Sequence, residues 1–138
     1  MRRGGRLVIY CGGKGDAADV LQVLSELVSC GFWQSYFDGF HNPYFFYGDQ
    51  DYALWLDSAG FSVERLELIP KDMTHPGKEV LAAWIRTTWM PFTQYVPESE
   101  RDNFITHFVE TYVERIPLDQ NGLAHVRMVR LEVSALKL

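Results

Sequence analysis

A chain of 138 residues with 47% hydrophobic residues is long enough to bury a core, and a net charge of −5 leaves no basic surplus for a nucleic acid or an anionic membrane surface. No apolar run approaches the roughly 18 residues that a membrane span needs, and the opening MRRGG lacks the apolar stretch of a secretory signal. Cys11 and Cys30 have no metal-like spacing and are too few for a disulfide framework, so reduced thiols in a cytoplasmic protein are expected.

Residues 7–11, LVIYC, read as a buried strand, apolar enough to be covered on both faces. Gly12, Gly13 and Gly15 follow, and Gly13, Gly15 and Ala18 literally satisfy the G-x-G-x-x-G/A fingerprint of a dinucleotide loop. That fingerprint needs a second strand and an acid for the ribose about 20 residues on. Here that region is CGFWQSYFDGFHNPYFFY, dense in aromatics and turn residues. No Gly-Lys-Ser/Thr completes a phosphate-binding loop either. The favoured reading is a plain turn, with Asp16 capping the next helix.

Residues 17–30 form that helix, with Val20, Leu21, Leu24, Leu27 and Val28 on one stripe and Gly31 at its end. A short helix over 33–40 and a loop over HNPYFFYGD come next. Asp49 is expected to cap a helix carrying Tyr52, Leu54, Trp55 and Leu56, which Gly60 closes. FSVERLELI reads as a strand with one half-exposed face, suited to a sheet edge. KDMTHPGKE reads as a turn into a helix over 80–89, with Pro76 near its first turn. Pro91 and Pro97 bracket a loop. A longer helix spans 98–115, with Phe104, Ile105, Phe108, Val109, Tyr112 and Val113 inward, and Pro117 stops it. LDQNG turns the chain into a last strand, LAHVRMVRLEVSA. With no repeat or linker, residues 1–138 are expected to be a single domain.

Chemistry-bearing residues are sparse. His41, His75, His107 and His125 lack metal-ligand spacing and read as surface or loop residues, so no metal is expected. Glu98 and Glu100 suit a helix first turn, where the helix dipole favours acids. Arg127 and Arg130 lie on the last strand and need partners. An internal carboxylate is favoured, and a carboxylate-bearing ligand is the alternative. WIRTTWMPF reads either as a core helix or as a cap helix lining an acceptor pocket, with Thr87 or Thr88 donating hydrogen bonds.

Three stretches together resemble a known family. GGRLVIY resembles the start of the fifth strand of class I S-adenosylmethionine-dependent methyltransferases. YALWLDSAGFSVERLELI is similar to their helix-AGF-strand unit. LAAWIRTTWMPF through the last strand resembles the C-terminal part of the trans-aconitate methyltransferase group. The resemblance implies an α/β fold, the C-terminal part of a Rossmann-like methyltransferase. It implies a mixed three-strand sheet plus cap helices, with the last strand central and antiparallel between the first strand and the 63–69 strand. It also implies that the N-terminal cofactor-binding strands are lacking. The family's cofactor is S-adenosylmethionine, yet its glycine loop and acid are absent here, so none is expected to bind this chain alone. The implied function is the acceptor side of methyl transfer to a small molecule such as a carboxylate. The alternative is a catalytically inert binding or assembly domain. Acceptor-pocket candidates are His41, Tyr44, Tyr47, Trp84, Thr88, Trp89 and Arg127. The apolar first strand further predicts a homodimer, or pairing with a missing N-terminal half.

Overall fold

The computed structural model describes residues 1–138, and its internal contacts divide them into two compact units. A sheet unit holds residues 1–17, 45–72 and 127–138; a helical unit holds 18–44 and 73–126.

Three strands, β1 (Arg6–Gly12), β2 (Phe61–Pro76) and β3 (Leu123–Lys137), form one sheet in the order β1-β3-β2. β1 pairs antiparallel with β3, in a register running from Arg6 opposite Leu136 to Gly12 opposite Arg130. The last strand is therefore central and the sheet antiparallel, as expected for this α/β fold. The alternation of β3 explains its place. Leu131, Val133 and Ala135 point to one face and are at most 1% exposed. They pack with Leu56 of α2 (Asp49–Ser58) and with half-buried Leu7, Ile9, Tyr52, Leu66 and Leu68. On the other face Glu132 is buried between two cations, Arg65 at 2.6 Å and Arg130 at 2.8 Å. Arg130 thus has the internal carboxylate partner that the sequence favoured.

Four local expectations are corrected. β1 is not covered on both faces: Val8 and Tyr10 are 52% and 65% exposed, because the apolar packing of this unit lies on the opposite, Leu7-Ile9 face. Gly48, not Asp49, caps α2, and the Asp51 carboxylate reaches back to accept from the Gly48 N–H at 2.9 Å. β2 does not turn after Pro70 but continues to Pro76; as an edge strand it tolerates prolines that lack an N–H. Pro76 therefore lies outside the next helix, which starts after Gly77 at φ 94°, a backbone state that glycine adopts without strain.

The helical unit contains α1 (Ala18–Val28), a 3₁₀ turn (Gln34–Phe37), α3 (Lys78–Thr88), α4 (Met90–Thr93) and α5 (Glu98–Arg115). α4 replaces part of the loop expected between Pro91 and Pro97, since Pro91 sits in its first turn, where a missing N–H costs no hydrogen bond. α5 packs against α1, α3 and α4 through Phe104, Ile105, Phe108, Val109 and Tyr112, all buried. Trp33, 2% exposed, meets Phe104 edge-on at 5.2 Å and donates its indole N–H to His107 Nδ1 at 2.9 Å. Ion pairs Glu26–Arg115, Lys78–Glu110 and Arg86–Asp102 tie α1 and α3 to α5 at the surface.

Phe104 is fully buried against Trp33 and Phe37, so Phe104→Ala should cost about 3–5 kcal/mol of stability, the usual loss for an aromatic cavity. Urea unfolding followed by tryptophan fluorescence reads this directly; a loss below about 1 kcal/mol would contradict this packing.

Candidate functional site

The glycine turn is the first place to test for a ligand, because a phosphate cradle requires free backbone N–H groups aimed at the anion. Here four of those groups have partners inside the protein. Gly13 N–H donates to the Val129 carbonyl at 2.9 Å, Lys14 N–H to Tyr47 at 2.9 Å, Asp16 N–H to Gly13 at 2.9 Å and Ala17 N–H to Arg127 at 3.2 Å. Asp16 does not cap α1 as expected. Its carboxylate instead accepts the Val129 N–H at 2.7 Å and so carries the β1–β3 pairing on into the turn. The space that side chains would need at the glycines is also filled. A Cβ at Gly12 would lie 2.4 Å from the Asp16 carboxylate and 2.7 Å from the Phe46 ring, and one at Gly13 would lie 2.5 Å from Leu68. The adjoining cleft, bordered by Tyr10, Cys11, Lys71 and Arg130, measures about 260 Å³, below the roughly 300–1,000 Å³ of a small-molecule site. The glycines let protein atoms approach one another. They do not make room for a cofactor.

Burial raises the Asp16 carboxyl above its ordinary value of 3.8, against a smaller opposing pull from the Val129 N–H. The protonated form is therefore favoured in the folded chain relative to the unfolded one.

A second constellation lies in the helical unit. Trp89, between α3 and α4, meets Tyr44 at 5.0 Å, Trp84 at 5.8 Å and Phe92 at 6.3 Å, centroid to centroid. Trp84 in turn meets the His75 ring at 4.9 Å. Trp89 and His75 are buried, whereas Tyr44 and Trp84 are half-buried. Within this run of rings are two buried polar atoms with no hydrogen-bond partner, Trp89 Nε1 and His75 Nε2. Burial pushes the His75 imidazole below its ordinary 6.5 and the Tyr44 phenol above 10.0, so both groups are held neutral at pH 7.

Of the residues singled out from sequence, Tyr44, Trp84 and Trp89 are therefore brought into one cluster. His41 is exposed in the loop before Tyr44, and Thr88 is exposed at the end of α3. Thr87 donates its hydroxyl to the Ala83 carbonyl of its own helix at 3.0 Å, which leaves it no ligand role as a donor. Tyr47 belongs to the sheet unit, edge-on to Trp55 at 4.8 Å, as does Arg127, which is exposed. His75, read from sequence as a surface or loop residue, is instead buried near the end of β2, and no alternation in the residues after Pro70 signals it. His125 lies 2.7 Å from the Asp119 carboxylate, which is held below its ordinary range chiefly by that contact. No group of histidine, cysteine or acidic side chains is arranged to hold a metal ion.

No family model matches the chain. Over 99 residues it is 33% identical to an uncharacterized methyltransferase, C70.08c, of Schizosaccharomyces pombe, a match that covers 71% of this chain and 37% of that protein. The chain thus spans well under half the length of this relative. A solved methyltransferase structure from Bacillus halodurans C-125 aligns with a TM-score of 0.48 and 17% identity, over 99% of this chain and 53% of that one. The sequence match supports a methyltransferase relationship.

The Asp16 geometry fixes the sign of a pH effect. A carboxyl whose folded value is raised contributes stability below pH 3.8 that is lost as pH rises through the raised value. Asp16→Asn should flatten that decline while keeping an acceptor for Val129. Asp16→Ala, which orphans the Val129 N–H, should be about 1–3 kcal/mol less stable than Asp16→Asn. Thermal unfolding across pH 3–7 measures both; equal stability of the two variants would contradict the role of the carboxylate as a backbone acceptor.

Proposed function

We propose that this chain supplies the acceptor side of an S-adenosylmethionine-dependent methyltransferase that acts on a small molecule. The observation that carries the proposal is the 33% identity over 99 residues to a methyltransferase. The trans-aconitate methyltransferase group is the finer assignment, supported by the order of its C-terminal segments in this sequence. The glycine turn does not fit the cofactor: the amides of Gly13, Lys14, Asp16 and Ala17 are engaged internally, and Asp16 faces Val129, not a ribose. No step is therefore assigned to the cofactor here. What the chain's own residues offer is an apolar, aromatic surface that excludes water and orients a planar acceptor, the positioning on which methyl transfer mainly depends. A carboxylate acceptor held by Arg127 is the competing choice, and it draws on a residue of the sheet unit.

The second reading, an inert binding or assembly domain, is favoured by the closed glycine turn alone. Under either reading the outer edge of β1 is the proposed seat of a second copy in a homodimer, or of the N-terminal half of the fold. Antiparallel self-pairing centred on Ile9 would place exposed Val8 opposite exposed Tyr10 and bring no like charges together. No helix is long and apolar enough to cross a membrane, and both cysteines are free, which supports a reducing, cytoplasmic setting as part of the proposal.

The test is a chimera in which this chain's matching residues replace those of the S. pombe methyltransferase. Calorimetry should find that the chimera keeps S-adenosylmethionine binding within about tenfold of its parent, about 1.4 kcal/mol, while this chain alone shows no micromolar site. A folded chimera without binding would contradict the methyltransferase reading. A tight stoichiometric site in this chain alone, lost on Gly12→Val, would restore the glycine turn as a cofactor loop.

A further inference from the structure

We propose that Asn121 is a site of spontaneous deamidation through an internal succinimide, and that Asp119 sets the rate of the reaction. The proposal does not draw on the methyltransferase reading.

The reaction needs a backbone amide nitrogen that can reach the side-chain carbonyl carbon of the asparagine before it and close a five-membered ring. The chain has three asparagines, Asn42, Asn103 and Asn121. Asn42 precedes Pro43, whose nitrogen carries no hydrogen to lose. Asn103 lies within α5 and precedes the fully buried Phe104, whose N–H belongs to the helix ladder. The Asn103 side chain also donates to Glu100 at 3.0 Å. Asn121 alone precedes a glycine, in the exposed turn between α5 and β3. A Cβ built on Gly122 would meet nothing within 4 Å beyond its chain neighbours, so the space beside the attacking nitrogen is open.

The atoms balance with water and hydroxide as the co-reactants. Hydroxide removes the Gly122 amide proton, and the nitrogen forms a bond to Asn121 Cγ. The bond from Cγ to the side-chain nitrogen breaks, and that nitrogen leaves as ammonia with a proton taken from water. Water then opens the succinimide at either carbonyl, giving an aspartate or a β-linked isoaspartate at this position. Nucleophile and carbon sit in one residue pair, which makes such a closure fast without a catalyst.

Asp119 opposes the attack. Its carbonyl accepts the Gly122 N–H at 2.9 Å, and this is the proton that must leave. One oxygen of its carboxylate accepts the N–H groups of Asn121 at 2.8 Å and Leu123 at 3.0 Å, which pins the backbone on both sides of Gly122. The other oxygen lies 2.7 Å from His125 Nε2, which anchors the carboxylate in turn. Its negative charge also disfavours a developing anion on the Gly122 nitrogen. Either product undoes this arrangement. An aspartate adds a second negative charge beside Asp119, and an isoaspartate lengthens the backbone between two amides that share one acceptor.

The experiment ages the full chain at mildly alkaline pH and follows the peptide around each asparagine by mass spectrometry, with isoaspartate separated from aspartate by chromatography. Asn121 should convert to both acidic products about tenfold or more faster than Asn42 or Asn103. Asn121→Gln, which would have to close a larger ring, should leave the position unmodified over the same period. Asp119→Ala frees the turn and should convert about fivefold or more faster than the wild-type chain. Should Asp119→Ala fail to fold, the wild-type chain unfolded in guanidinium takes its place and should show the same acceleration over the folded chain. Equal conversion at the three asparagines, conversion without isoaspartate, or no acceleration on freeing the turn would overturn the proposal.

Discussion

The hydrogen bond from the Val129 N–H to the Asp16 carboxylate is the constraint on which the sheet unit depends. β1 ends at Gly12, yet its pairing with β3 does not end there: Gly13 and Ala17 continue it with donors to Val129 and Arg127, and Asp16 supplies an acceptor where a strand carbonyl would otherwise be. The chain can reverse this tightly only with Gly15 at φ 90° and Ala17 at φ 48°. A left-handed alanine costs of order 1 kcal/mol, so the surrounding bonds must hold it. Burying the carboxylate carries its own penalty, visible in the upward push on its titration. A bond kept at two such costs marks a joint that holds the end of β1 against the middle of β3.

That joint removes the glycine cluster from the candidate ligand sites and shifts attention to the helical unit. There the opposite situation holds. The polar atoms of the turn are satisfied, while Trp89 and His75 in the aromatic run are not. α3 places Trp84 against His75 and ends at Trp89, whose ring meets Tyr44 and Phe92. Apolar packing alone would have been served by phenylalanine at either position, as it is at Phe92 and Phe104. Nitrogen-bearing rings at these two places mark where the unit departs from a plain core.

Much of this was legible from residue patterns. The alternation of LAHVRMVRLEVSA predicted a strand with one apolar face, and the spacing of Phe104, Ile105, Phe108, Val109 and Tyr112 predicted the inner face of α5. Tyr44, Trp84 and Trp89, whose rings meet, were among seven pocket candidates that also included His41, Tyr47, Thr88 and Arg127. What was not legible depends on partners distant in sequence. The Asp16 side chain bonds an amide 113 positions away, which no local capping rule anticipates. The continuation of β2 past Pro70 depends on its being an edge strand, a property of the sheet and not of the segment. His75 looked like a loop residue for the same reason: only that longer strand carries it into the interior.

Backbone hydrogen exchange offers the most direct check on the central claim, that β3 is the middle strand and that the turn extends its pairing. The amide of Val129 should exchange as slowly as those of Leu131 and Val133, although its acceptor is a side chain and not a neighbouring strand. Exchange at Val129 as fast as in the exposed loop around His41, with Leu131 and Val133 still protected, would contradict the account and reopen the glycine turn as a ligand loop.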